Sequence, residues 1–199
     1  MKRLLILLAF AMFFMSGVSA QNMHKGHDYV DLGLSVKWAT CNVGANSPEA
    51  YGDYYAWGET ATKSRYLSDN CETYKQNIGD IKGTSRDVAH VKWGGNWRMP
   101  TKAELDELLS KCTWSWTTQN GKNGYTVTGP NGNSIYLPAA GYRYGDRLYH
   151  GGSRGYYWSS TPDSEDAQSA YRLLYLNSGY QRTGWDLRYS GHAVRPVLE

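Results

Sequence analysis

Lysine is missing from the last third of this chain: ten occur up to Lys122, and none follows it. Cysteine is scarce, with only Cys41, Cys71 and Cys112. Their spacing fits no metal site, and no C-x-x-C occurs, so zinc-binding and dithiol redox readings fall away. G-x-S-x-G and H-E-x-x-H are also absent, which removes the usual hydrolase and metalloprotease signatures. Strong charge of one sign is lacking too. Without Lys2 and Arg3 the 21 basic residues fall to 19, against 18 acidic ones. A nucleic-acid interface needs a basic patch and a strong positive balance, so no such partner is expected.

The one apolar run, Leu4 to Met15, follows Lys2 and Arg3 and precedes Val18-Ser19-Ala20. A positive start, a short apolar stretch and small residues at a cleavage position are the pattern of a secretory signal, over residues 1–20. The run is too short to span a bilayer comfortably, and Gln21 rather than a cysteine follows the cut directly, so no lipoprotein-type anchor is expected. A secreted, periplasmic or cell-surface protein is therefore expected, with no membrane span once the signal is removed. Residues 21–27 read as a mobile lead-in, and residues 28–199 as a single domain large enough for its own core. In an oxidising compartment three cysteines allow one disulfide in any of three pairings, or buried unpaired thiols. Cys41–Cys112 is the preferred pair, because both lie in apolar stretches and Cys71 does not.

One helix is legible. In MPTKAELDELLSKC, Thr101 and Glu104 have the spacing of a capping box. Leu105, Leu108, Leu109 and Cys112 recur at helical intervals and mark one apolar face. Before it, residues 46–92 read as a long loop with aromatic islands such as YGDYYAWGE, either functional or pinned by its own rings. After it come short strand-like runs: TWSWTTQ, GYTVTG, SIYLPAAG, YRLLYLNSG and AVRPV. NGKNG and PNGN supply turns between them. The expectation is an α+β domain with high loop content, small antiparallel sheets and one or two helices.

HDYVDLGLSVKWATCNVGA, YGDYYAWGE, WGGNWRMPTKAELDELL, NGYTVTGPNGNSIYLPAAGYR, GYYWSSTPD and AVRPV together resemble the Fibrobacter succinogenes major paralogous domain family, from about His27 to Val197. The resemblance implies a C-type-lectin-like fold. It also implies likeness to formylglycine-generating enzymes and to variable proteins diversified by retroelements. In those variable proteins the diversified residues lie before a fixed final strand, here Gly141 to His192 before AVRPV. The family has no settled activity, so fold alone assigns no function. A formylglycine-generating oxidase would need cysteines toward the C-terminus, and none follows Cys112.

The lysine-free span holds nine tyrosines and six arginines between Tyr142 and His192. Interfaces favour Tyr, Trp and Arg over Lys, and tyrosine gives rigid contact area at low entropic cost. Tyr142, Tyr156, Tyr157 and Trp158 sit beside apolar text and are expected in the framework. Tyr149, His150, Arg154, Arg172, Tyr180, Gln181, Arg182, Trp185, Asp186, Arg188, Tyr189 and His192 are expected to bind a protein or glycan ligand, with GYQRTGWDLRYSGH as a displayed loop. Retroelement diversification suits the missing lysines, because adenine-directed changes to Asn-type codons do not reach Lys. Gln168, Gln181 and Trp185 are not products of such codons. No catalytic residue is assigned, and Ser159 and Ser160 read as satisfied loop serines. Asp163, Glu165 and Asp166 read as a solvated acidic turn, with calcium a minor alternative and no other cofactor or metal site expected. The Glu-Pro-Asn and Trp-Asn-Asp motifs of calcium-dependent lectins are missing. An unrecognised carbohydrate-active enzyme and a structural surface subunit remain the competing readings.

Overall fold

The structure is a computed structural model and describes residues 22–199; the signal expected over residues 1–20 lies outside them. In chain order the elements are β1 (Asn22–His24), β2 (His27–Val30), β3 (Lys37–Ala39), α1 (Val88–Trp93), β4 (Trp97–Arg98) and α2 (Lys102–Lys111). There follow β5 (Thr113–Gln119), β6 (Lys122–Thr128), β7 (Ser134–Pro138), β8 (Tyr142–Tyr144), β9 (Arg147–Tyr149), β10 (Arg154–Pro162), β11 (Ser169–Leu176), β12 (Gln181–Leu187) and β13 (Val197–Leu198). They form antiparallel sheets in the orders β1-β2-β3-β13-β4, β5-β6-β7, β8-β9 and β10-β11-β12. This is an α+β fold of small sheets with two helices among the described residues.

α2 forms as its sequence dictates. Thr101 accepts from Glu104 N–H while the Glu104 carboxylate accepts from Thr101 N–H, closing the capping box. Leu105 and Leu108 are buried against Leu32, Trp38, Tyr125, Leu137, Tyr157, Leu173 and Tyr175. Glu104 has a second task, because Arg98 grips both its oxygens at 2.9 and 2.6 Å. A two-point guanidinium–carboxylate pair fixes orientation as well as charge, so it ties the helix start to β4. The β5–β6 turn is Asn120-Gly121 with φ of 47° and 76°, the left-handed pair a two-residue hairpin requires.

Three expectations are corrected. Residues 22–27 are no mobile lead-in but part of a hairpin, with Asn22↔Tyr29 and His24↔His27 in register. The His27 ring stacks on Trp93 at 3.7 Å, and Trp97 Nε1 donates to the His24 carbonyl at 2.9 Å. Second, all three cysteines are free thiols, so Cys41–Cys112 does not form a bridge. Cys112 caps the end of α2 and packs on the main core, while Cys41 follows β3 beside Thr40. Third, the 46–92 stretch contains α1. Buried Asp87 caps it by accepting from Ala89 and His90 N–H, and also from Gly83 and Met99 N–H. Burial pushes the Asp87 carboxyl up, against those donors.

The rest of that stretch is pinned by its own rings. Tyr54, Tyr55, Trp57 and Tyr66 are all buried. Trp57 Nε1 donates to Ser159 O at 2.9 Å, and Tyr54 OH to Ala140 O at 2.5 Å. Burying one such ring, roughly 200 Å² at about 25 cal/mol per Å², gives about 5 kcal/mol. That offsets the ordering of about three or four backbone residues per ring, so the rings anchor the connection at points along its length.

Candidate functional site

The β10-β11-β12 sheet has two unlike faces. On one, Thr183 of β12 donates to Asp106 of α2 at 2.6 Å, and Leu173, Tyr157 and Tyr175 enter the main core. The opposite face is set by register: Trp158, Arg172 and Gly184 pair in one row, and Tyr156, Leu174 and Arg182 in the next. The β8–β9 hairpin lies over this second face, with Tyr142 against Tyr156 at 4.8 Å and against Tyr149 at 5.5 Å. Tyr156 in turn carries the Arg172 guanidinium over its ring at 5.2 Å. Tyr156, Tyr157 and Trp158 are buried, as framework residues should be, and Tyr142 is half-buried.

The segment GYQRTGWDLRYSGH, expected as a displayed loop, is not one loop. Gln181–Leu187 is an edge strand, paired residue for residue from Tyr175↔Gln181 to Ser169↔Leu187. Thr183, Trp185 and Leu187 alternate with Arg182, Gly184 and Asp186 at the period of a strand, but Gly and Asp are poor strand formers and mask it. Of the twelve residues expected at a binding surface, Tyr149, His150, Tyr180, Arg182 and Trp185 are exposed. Arg154, Gln181, Asp186 and Tyr189 are partly covered.

Arg172, Arg188 and His192 are buried and correct the expectation of surface contact. Arg188 is a staple: Nε donates to Ser169 O at 3.0 Å, and Nη1 to Thr73 O and Gln76 O at 3.1 and 2.8 Å. Its guanidinium also lies 4.4 Å from the Trp57 ring. His192 stacks on Trp158 at 4.0 Å, and its backbone exchanges two hydrogen bonds with Tyr55. Burial depresses the His192 imidazole, with Arg172 adding to the effect and Asp186 opposing it, so the ring is neutral near pH 7.

Asp186 joins these groups. Its Oδ2 accepts from Arg172 Nε at 3.2 Å and lies 3.4 Å from His192 Nε2, an electrostatic contact without hydrogen-bond geometry. Its Oδ1 accepts from Leu187 N–H at 2.8 Å. Burial resists ionisation of Asp186, but His192, the Arg172 guanidinium and the Leu187 amide outweigh it and hold the carboxyl at about 2. A cavity of about 350 Å³ opens here, lined by Arg172, Arg182, Gly184, Trp185 and Asp186. Another cleft of similar volume lies beside Glu59, whose carboxylate is already taken by Lys63 and the Glu72 amide.

Elsewhere the chemistry-bearing residues serve the fold. Asp163 accepts from Glu165 N–H, and Asp166 from Gln168 N–H and Ser169 Oγ, inside the β10–β11 connection. Among the described residues no group of three or more His, Cys, Asp or Glu is placed to hold a metal. Ser159 and Ser160 lie buried in β10 rather than in a loop, and Ser159 Oγ donates to Tyr171 O at 2.7 Å. Among the described residues no helix is long and apolar enough to cross a membrane.

Residues missed in the sequence are Tyr144 and Leu148 of the β8–β9 hairpin, both exposed. The signal was present as GYRYGDRLY, a short hairpin pattern around Gly145-Asp146. Gly184 was missed as well, since only the pairing opposite Arg172 gives it meaning.

Neither the curated proteins nor the solved structures include a match to this chain. A family model described as a domain of unknown function (DUF8237) matches residues 109–197, a stretch running from the last turn of α2 to β13 and containing the whole β8–β12 region.

Proposed function

We propose that this chain is a ligand-binding module of C-type-lectin-like fold, acting outside the cytoplasm, that recognises a protein or glycan through the β8–β9 hairpin and the β12 edge. One observation carries the reading. Seven large apolar side chains are exposed among the described residues, and five of them, Tyr144, Leu148, Tyr149, Tyr180 and Trp185, belong to this region. Large exposed aromatics cost solubility and are enriched at contact surfaces in soluble proteins. Rings held on strands also lose little entropy when a ligand covers them. Affinity here comes from aromatic burial and arginine pairing, and needs no bond-making chemistry.

The test is an array of defined glycans and purified proteins, probed with the wild-type chain and with Tyr149→Ser/Tyr180→Ser/Trp185→Ser. The wild type should retain at least one ligand, and the triple variant should lose it while keeping its melting temperature. Absence of any ligand, or binding untouched by the three substitutions, contradicts the proposal. Its sharper form, retroelement diversification of Gly141–His192, predicts adenine-directed mismatches in the gene's final third among cells of one clone. Those mismatches should fall on exposed positions and spare Arg188 and His192. A uniform sequence contradicts that form.

A further inference from the structure

We infer that Arg172, Arg182 and Gly184 form a carboxylate cradle, and that the ligand is an acidic glycan whose uronate group sits there. The inference rests on the binding reading above and names its ligand class.

Arg172 is nine-tenths buried, with 9% of its side chain exposed. Its Nε is committed to Asp186, yet Nη1 is buried and finds no partner among the described residues. A buried donor left unpaired is costly, so a ligand oxygen that reaches it recovers free energy. The contrast with Arg188 is direct, because that guanidinium is consumed by three carbonyls. Arg195 also leaves Nη2 without a partner among the described residues, but its other nitrogens hold Asn42, Ala39 and Thr40 and it is sealed in the core.

Gly184 supplies the space. A Cβ built there would stand 3.6 Å from Arg172 Nη1 and 3.9 Å from Arg182 Nε, with no other described atom outside its immediate chain neighbours within 4 Å. The missing side chain therefore leaves a gap flanked by two guanidinium groups. Gly184 is not among the positive-φ glycines, so its backbone does not require glycine. A glycine inside a strand without that need points to something approaching the backbone closely. Two guanidinium groups against the single carboxylate of Asp186 leave the gap positive, and arginine pairs with carboxylates through parallel N–H donors.

The size of the cavity completes the assignment. About 350 Å³ is at the small end of ligand sites and suits about one or two sugar rings rather than a folded partner.

The probe is a trisaccharide of galacturonate, compared by calorimetry with its carboxyl-reduced neutral counterpart and with a tetraglutamate peptide. The uronate should bind, and the neutral sugar should bind at least about tenfold more weakly. Arg182→Gln should weaken uronate binding by about tenfold or more. Gly184→Ala should do the same, because it fills the gap with a methyl group at ordinary contact distance. Both variants should melt with the wild type, and if Gly184→Ala fails to fold, Arg182→Gln carries the test. No uronate binding, or uronate binding unaffected by Arg182→Gln, overturns the cradle. Equal binding of the neutral sugar does so too, while leaving the receptor reading intact. Tetraglutamate binding in preference to the uronate overturns the glycan assignment. The receptor reading fails separately, by an empty array.

Discussion

Residues 181–187 and 188–198 are neighbours in the chain and opposites in use. The first segment is an edge strand with one partner, β11, and carries exposed Arg182 and Trp185. The second is buried almost throughout and threads between layers. Trp57 N–H donates to Arg188 O, Arg143 and Gly191 exchange backbone bonds, Val43 N–H donates to Val194 O, and β13 pairs with both β3 and β4. Arginine occurs on both sides of the boundary at Leu187, exposed at Arg182 and buried at Arg188 and Arg195. Residue type therefore does not tell contact from scaffold; the number of elements surrounding a position does.

The largest effect that can break this comparison is at Arg188. Arg188→Ala removes three buried hydrogen bonds and the Trp57 contact, and should cost about 3 to 5 kcal/mol in urea unfolding. Arg182→Ala, six residues earlier, should stay within about 0.5 kcal/mol of wild type. Equal losses at the two arginines would erase the boundary. Next comes Asp186→Asn, which strips the buried Arg172 of its counter-charge and should cost about 2 to 3 kcal/mol in the same assay. A neutral change there would mean that Arg172 is already solvated.

A smaller effect is expected from pH. His192 is held neutral by burial, with a folded pKa below its ordinary 6.5. The unfolded chain therefore takes up a proton that the folded chain resists, and stability falls as pH drops below about 6.5. Asp186, held at about 2 against an ordinary 3.8, adds a second loss only as pH falls from about 3.8 toward 2. His192→Gln should flatten the melting-temperature profile between pH 7 and pH 5, and an unchanged slope would place the titration elsewhere. The smallest stability effect belongs to Trp185→Ser, expected within about 0.5 kcal/mol because the ring is largely exposed.

How far the sequence reaches follows from the same contrast. α2 was legible because its cap and its apolar face are local, within Thr101 to Cys112. The β5–β6 hairpin was legible from Asn120-Gly121 for the same reason. α1 escaped because six residues are too few to show a period, and its cap Asp87 gains half its donors from Gly83 and Met99. The order of residues 22–27 depends on Trp93 and Trp97, some seventy residues on. β12 escaped because Gly184 and Asp186 are poor strand formers within an otherwise alternating run, while β11 supplies its register. Of the site, the exposed aromatics Tyr149, Tyr180 and Trp185 could be read from composition. The burial of Arg172, Arg188 and His192 could not, since Tyr156 covers the first, Trp57 the second, and Trp158 and Tyr55 the third, all from other elements.

The central claim is that the chain changes from contact to scaffold at Leu187. It is tested most directly by replacing each residue from Tyr180 to Val197 other than Ser190 with serine, and measuring urea stability and retention of the array ligand for every variant. The account predicts that substitutions at Tyr180, Arg182 and Trp185 lose ligand with stability intact, whereas those at Arg188, His192 and Arg195 lose stability first. Ligand loss that simply follows stability loss across both segments would contradict it.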